Sequence, residues 1–407
     1  MDVTVLRPLC ENLREYRPGD QLWVPPERAL RLADLGFVAF ERPSTPTRVT
    51  SPEAEKTQRE AWRKLRTLIG ANRPIIPVFP TRRSRLDTLQ PGEKFLILMR
   101  YAGIGDHIVA SMLFPALQEQ YPQVQASYAI PRRFHPLFER TSVRVIAHDD
   151  AVQASWLKEY DLIEDINTPC HVWENFFVAY GGTTGDGHGL RWLHRLDMMS
   201  HWFGLKVKKP RSEITIGEDE KRAARELIAS TRPAGRPVCI FSPLSFSQAR
   251  SYPWFAQVAE RLIADGWAVR YLHSARLPGS VPTLAGLPIR MMGAVCSVAD
   301  LIVSVDTATF HWGGIFGRPT VAIFNSQLGV NHCRDYPTAH PVQTCDTPCI
   351  HNVRWGGDNG SCPHLTRESL PAVPGIGVSR CFARSTVDQI MAEVRAYVGR
   401  PGKGNGI

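Results

Sequence analysis

From Lys94 onward the chain alternates short apolar runs with glycine-rich turns and amphipathic stretches. Phe95-Leu96-Ile97-Leu98-Met99 is an uninterrupted apolar run of strand length, closed by Gly103 and Gly105. Ile108 to Gln120 then places Ile108, Met112, Leu113 and Leu117 on one helical face, so a strand, a glycine turn and a helix are expected in that order. Val124–Ile130, Val143–Ala147 and Tyr160–Ile163 read as further strands. After a linker at Lys208-Lys209-Pro210-Arg211 the pattern restarts. Val238–Ser242, Ala268–Leu272, Leu301–Ser304 and Thr320–Phe324 read as strands, and Trp254–Ala264 as a helix. Apolar strands alternating with helices imply parallel sheets covered on both faces, and the repeat implies two Rossmann-like halves in series.

The part before Lys94 has a different texture. Residues 1–45 read as a small strand-rich module, with a turn at Tyr16-Arg17-Pro18-Gly19-Asp20, a short helix over Pro25–Leu35 and a return strand at Gly36–Phe40. This module resembles brief N-terminal modules of some phage proteins. A helix over Pro52–Ile69 and a linker with Pro74, Pro77, Pro80 and Pro91 follow. The expected organisation is an N-terminal module (1–45), a basic helix and Pro-rich linker (46–92), a first Rossmann-like domain (93–207), a second (208–383), and a C-terminal helix and tail (384–407).

Length and composition narrow the class. A chain of 407 residues with 43% hydrophobic and 21% charged residues is long enough for two or three globular domains. No apolar run approaches the roughly 20 residues of a membrane helix. The first residues lack a basic stretch followed by an apolar core, so no signal peptide and a cytoplasmic location, in a bacterium or a phage-infected host, are expected. The net charge of +9 is concentrated: Lys56 to Arg85 holds nine basic residues and one acid, a local balance of 9 − 1 = +8. Such a segment is either an electrostatic footprint for a phosphate-bearing partner or a solvated helix face with a basic linker. Four of the nine cysteines, Cys345, Cys349, Cys362 and Cys381, cluster near His340, His351 and His364. They suit a structural zinc site, free thiols or a disulfide.

Three constellations carry candidate chemistry, each between a strand and a helix, where open α/β sheets bind ligands. In Ala102-Gly103-Ile104-Gly105-Asp106-His107, Gly103 and Gly105 allow close approach of a ligand, and Asp106 falls at the helix N-cap, free to cap, to accept a proton, or both. In Ser304-Val305-Asp306-Thr307-Ala308-Thr309-Phe310-His311, the backbone amides of a helix start with Thr307 and Thr309 suit a diphosphate, and His311 lies one turn on, as ligand contact or structural residue. Between Ser242 and Trp254 a hydroxyl-rich loop with Ser247 places Arg250 to clamp a phosphate.

Together these residues resemble the heptosyltransferase-type glycosyltransferases, glycosyltransferase family nine, over about Gly92 to Val398. The resemblance rests on Gly105-Asp106 followed by Pro115 and Tyr121-Pro122, on Arg250 before Tyr252-Pro253, on Asp306-Thr307-Ala308-Thr309-Phe310-His311, and on Gly317-Arg318-Pro319-Thr320. It departs from the family at Arg250, usually lysine, at Ala308, usually glycine, and at Trp312-Gly313-Gly314, usually an aliphatic residue and two alanines. The resemblance implies a GT-B fold, two Rossmann-like domains facing across a cleft, and inverting transfer from a nucleotide-diphosphate sugar without a metal cofactor. It implies Asp106 as base, Arg250, Thr307 and His311 on the departing nucleotide, and Asp306 ordering the loop. No two aspartates stand two positions apart, so the metal-holding Asp-x-Asp of GT-A enzymes is missing from the sequence. The implied acceptor is anionic: a lipopolysaccharide core sugar, or nucleic acid such as a hydroxymethylated DNA base, for which Phe134, His135 or Trp173 would serve as wedges. The alternative class is a catalytically inactive nucleotide-sugar-binding or structural protein, motivated by Ala308 and Trp312.

Overall fold

The computed structural model describes residues 2–5, 9–11, 14–16, 21–23, 38–39, 85–99, 102–148, 159–166, 194–230, 235–245, 250–325, 329–344, 365–370, 373–379 and 386–398. The chain divides into two compact units, one of residues 1–55 with 153–157 and one of 56–152 with 158–407. The expected helices over Pro25–Leu35 and Pro52–Ile69 lie outside the described residues, as does all but Arg85 of the basic segment. In the first unit, β1 (Asp2–Val5) pairs antiparallel with β4 (Gln21–Trp23) and with β5 (Val38–Ala39), while β2 (Leu9–Glu11) and β3 (Arg14–Tyr16) form a hairpin.

The second unit holds two parallel sheets. The first is built from β6 (Lys94–Leu98), β7 (Gln125–Ile130), β8 (Arg144–Ala147) and β9 (Leu162–Asp165), in the order β8-β7-β6-β9. The second has six strands in the order β12-β11-β10-β13-β14-β15. Its members are β10 (Val238–Ser242), β11 (Ala268–His273), β12 (Thr283–Ala285), β13 (Leu301–Val305), β14 (Thr320–Phe324) and β15 (Ala339–Gln343). Every residue of β10, β13 and β14 is buried, which is why these strands read as continuous apolar runs. An antiparallel pair, β16 (Leu365–Leu370) and β17 (Val373–Ser379), follows.

Helices cover the sheets. In the first half these are α1 (Ile104–Ser111), α2 (Leu113–Gln120) and α3 (Arg195–Phe203), with a 3₁₀ segment over Arg132–Phe138. Then come α4 (Glu218–Ala229), α5 (Phe255–Ala264), α6 (Ile289–Ser297), α7 (Ala308–Ile315), α8 (Gly329–Cys333) and α9 (Val387–Val398). Phe255, Val258, Ala259 and Leu262 recur on one face of α5 and are buried, and Ile390, Met391 and Val394 do the same on α9. By contrast α7 is apolar around most of its circumference, and six of its eight residues are buried, because it lies between its own sheet and the first half.

Two local expectations are corrected. The helix read as Ile108–Gln120 begins at Ile104 and is broken at Met112 into α1 and α2. Pro115 explains the break, since it offers no N–H to the carbonyl of Ser111 and its ring crowds that oxygen. Asp106 is therefore in the first turn of α1, and the cap is Gly103. The strand read at Tyr160–Ile163 runs from Leu162 to Asp165, in parallel register with Phe95–Leu98.

Candidate functional site

The loop after β6 and the loop after β13 meet at the carboxyl ends of their strands. Glycine at 105 lets them touch: a Cβ there would lie 2.6 Å from His311 Cδ2, so α1 and α7 pack backbone to imidazole. On the α1 side, the Gly103 N–H donates to Asp106 Oδ2 at 2.8 Å, which satisfies an amide left over at the helix start. The other carboxylate oxygen pairs with Arg195 Nη1, from the first residue of α3, and the two side chains are each about a quarter to a third exposed. Burial raises the Asp106 pKa, but the Arg195 guanidinium and the Gly103 amide outweigh it and hold the carboxyl below its ordinary value.

On the α7 side, Thr307 is the extended residue that starts the helix, its Oγ1 3.0 Å from Ser304 Oγ and 3.4 Å from Ser242 Oγ. Arg250 Nη1 donates to Asp306 Oδ2 at 2.7 Å. Burial works against ionisation of Asp306, yet Arg250 keeps its carboxyl well below the usual range, so a stable ion pair flanks the helix start. Thr309 is 2% exposed. Ser247 lies outside the described residues.

His311 is 8% exposed, and its Nδ1 is 2.9 Å from the Tyr336 hydroxyl. Burial drives its pKa down to about 4, against the opposing pull of Asp306 and Asp106, so the imidazole is neutral near pH 7. A neutral ring fixed at one nitrogen offers the other as a hydrogen-bonding group. The departures next to it have a steric cause. A Cβ at Gly314 would lie 2.3 Å from the Tyr336 ring, and one at Gly313 would lie 2.3 Å from Thr320 Oγ1, so alanine fits neither place without movement. Trp312 is fully buried, lies against Gly293 and stacks on Phe316 at 5.4 Å.

Several contributors carry no local sequence signal. Arg195 and Tyr336 belong to none of the three constellations, yet they hold Asp106 and His311. The first turn of α3 is itself tied to the second half: Arg334 Nη1 donates to Asp197 Oδ2 at 2.6 Å. Arg290, on α6, binds both oxygens of Glu220 at 2.6 Å and also donates to the carbonyls of Thr215 and Pro136, the latter in the first half. Phe134 is 6% exposed and packs on the His107 ring at 4.3 Å, as part of the core rather than as a free wedge. Cys345, Cys349, Cys362, Cys381 and Trp173 lie outside the described residues. Among the described residues no group of three or more His, Cys, Asp or Glu is placed to hold a metal ion, and no helix is long and apolar enough to cross a membrane.

Two Rossmann-type halves that bring their strand ends together in this way have the GT-B architecture, and the chain is a glycosyltransferase. Residues 192–331, which include Arg250, Asp306 and His311, match the family described as Glycosyltransferase family 9 (heptosyltransferase), and the heptosyltransferase-type resemblance holds. No curated protein sequence matches the chain. Among solved structures, E. coli ADP-heptose lps heptosyltransferase II is similar at 17% identity and a TM-score of 0.50, over 75% of this chain and 98% of that one. The bacterial iron-containing dodecameric glycosyltransferase TibC from enterotoxigenic E. coli is similar at 14% identity and a TM-score of 0.49, over 74% and 75%. A glycosyl transferase family 9 protein from Veillonella parvula is similar at 13% identity and a TM-score of 0.48, over 63% and 87%. The first of these likenesses establishes the fold.

Proposed function

We propose that this glycosyltransferase moves a sugar from a nucleotide-diphosphate donor to an acceptor hydroxyl in one displacement, with inversion and without a metal ion. The observation that carries the reading is the approach of Asp106 and the Asp306–His311 turn from opposite halves, with Gly105 against His311. In this scheme the acceptor hydroxyl lies beside Asp106, which takes its proton as the bond to the anomeric carbon forms. The bond from that carbon to the diphosphate oxygen breaks at the same time. Arg250, Thr307 and the amides at the start of α7 receive the charge of the leaving diphosphate, and neutral His311 contributes a hydrogen bond. Asp306 holds the Arg250 guanidinium at the helix start until the diphosphate competes for it. The retained set of Asp106, Arg250 and His311 favours catalysis over an inactive sugar-binding role.

The acceptor is proposed to be anionic, because the basic stretch Lys56–Arg85 carries +8. A lipopolysaccharide core sugar and a hydroxymethylated base in DNA both have that character. The four clustered cysteines suit a structural zinc site, free thiols or a disulfide, apart from the chemistry, and a metal and thiol analysis of the purified protein distinguishes them.

The test has two stages. Thermal shifts with ADP, UDP, GDP and CMP identify the donor nucleotide, since a ligand at about 100 times its Kd stabilises by roughly 2.7 kcal/mol. Turnover is then read as nucleoside diphosphate released from the matching nucleotide sugar, with lipopolysaccharide lacking its core heptoses or hydroxymethylated duplex DNA as acceptor. Asp106→Asn is expected to lower kcat by about 10²- to 10⁴-fold while keeping the nucleotide-induced shift. Full turnover in that variant would refute Asp106 as base.

A further inference from the structure

The geometry points to Arg195 as the positioning residue of the proposed base: it holds the Asp106 carboxylate in one orientation, and it does so only while the two halves are docked. This inference rests on the reading of Asp106 given above. Asp106 has two oxygens, and each has a distinct partner. Oδ2 is tied to its own helix start by the Gly103 N–H, while Oδ1 faces the guanidinium of Arg195. A single backbone bond leaves the carboxylate free to turn about its terminal torsion, which has broad minima. A charged partner on the second oxygen removes that freedom.

Arg195 is supplied from the first turn of α3, and that turn is tied to the donor half by an ion pair. Asp197, two residues on from Arg195, accepts from Arg334 at 2.6 Å, and His194 caps the helix start by accepting from the Leu196 N–H. Asp335 adjoins Tyr336, whose hydroxyl meets His311. The same short segment, Arg334–Tyr336, therefore fixes His311 on the donor side and the α3 turn on the acceptor side. Separation of the halves would break the Arg334–Asp197 pair and release the turn that carries Arg195. Proton acceptance by Asp106 is thereby confined to the docked arrangement.

The charged and titratable groups around Asp106 are Arg195 from α3, His311 from α7, His107 on its own helix with Arg133 beyond it, and the Tyr128 phenol from β7. His107 and His311 are neutral near pH 7, with pKa values of about 4, and burial pushes the Tyr128 phenol up. Arg195 is thus the cation that balances Asp106. Its removal leaves burial to act on the carboxyl, which raises the pKa and moves the acid limb of the pH profile to higher pH.

The experiment compares Arg195→Met, Arg195→Lys and Asp106→Asn in the full chain, using the nucleotide-release assay above. Arg195→Met should lower kcat about 10- to 100-fold, leave the KM values for nucleotide sugar and acceptor within a few fold, and shift the acid limb of kcat/KM upward. Arg195→Lys should recover part of kcat and return the limb toward its original position. A raised acceptor KM with an unmoved limb would show that Arg195 binds the acceptor instead and would overturn the proposal, as would an unchanged kcat. If Arg195→Met does not fold, Arg195→Lys decides: a limb identical to that of the parent with a raised acceptor KM overturns the proposal. Full turnover in Asp106→Asn would remove the base reading itself. An inactive Asp106→Asn beside a normal Arg195→Met would remove the present inference alone.

Discussion

Replacing Gly105 with alanine separates stability from function at the contact between the two halves. The added Cβ would lie 2.6 Å from His311 Cδ2 and 3.1 Å from Nε2, and ordinary contact begins at 3.4 Å, so the ring must retreat by about 3.4 − 2.6 = 0.8 Å. It has little room to do so. The ring is 8% exposed, its Nδ1 is tied to Tyr336, and Tyr336 lies so close to Gly314 that a Cβ there would be 2.3 Å from its ring. Overpacking of this kind costs about 1–3 kcal/mol, while alanine in place of glycine favours a helix by up to about 1 kcal/mol. The net loss of stability is therefore small, about 0–2 kcal/mol. A displacement near 1 Å at a reacting group costs on the order of 10² in rate, about 2.7 kcal/mol of barrier, so kcat/KM should fall by more, in free energy, than the folding stability does. Urea denaturation measures the first quantity, and nucleoside diphosphate release from the donor sugar measures the second. A Gly105→Ala protein with unchanged kcat/KM would refute the contact of α1 with His311 as a functional one.

Two further outcomes follow from buried charge. Arg290→Met removes the donor to the carbonyls of Thr215 and Pro136 and leaves Glu220 with the Gly217 N–H and Arg140 alone, and should destabilise the protein by about 1–3 kcal/mol, read from the urea midpoint. His107 and His311 have pKa values of about 4 when folded against an ordinary 6.5, so the unfolded chain binds more protons between those values and stability falls as pH drops from about 6.5 toward 4. Each contributes a slope of up to about 1.4 kcal/mol per pH unit, and His107→Leu should reduce the measured slope by one such proton. An unaltered slope in that variant would show that His107 is not a neutral, buried imidazole.

Much of the scaffold was legible from local pattern. β10 and β14 occupy the stretches their apolar runs mark, Val238–Ser242 and Thr320–Phe324, because a strand buried on both faces is apolar along most of its length, here with one buried hydroxyl residue at an end of each. The Asp306–His311 turn was placed correctly between a strand and a helix for the same reason, since the boundary of the apolar run fixes the strand end. The break at Met112 was also written in the chain, through Pro115, but periodicity alone reads across it.

What the sequence determined by itself is thus the two-fold alternation of strands and helices and the two turns that carry Asp106 and His311, because both depend on neighbours within a few residues. Only the tertiary structure decided the partners of those side chains. Arg195 reaches Asp106, Tyr336 reaches His311, and Arg290 reaches Pro136 across stretches of chain with no shared periodicity. The glycines at 105, 313 and 314 are similar: locally they weaken a helix, and their reason is the His311, Thr320 and Tyr336 side chains packed against them. Ionisation follows the same division. Asp306 reads in the sequence as an ordinary carboxylate and His311 as a group that titrates near neutrality, while burial and the fixed guanidinium of Arg250 set their actual states.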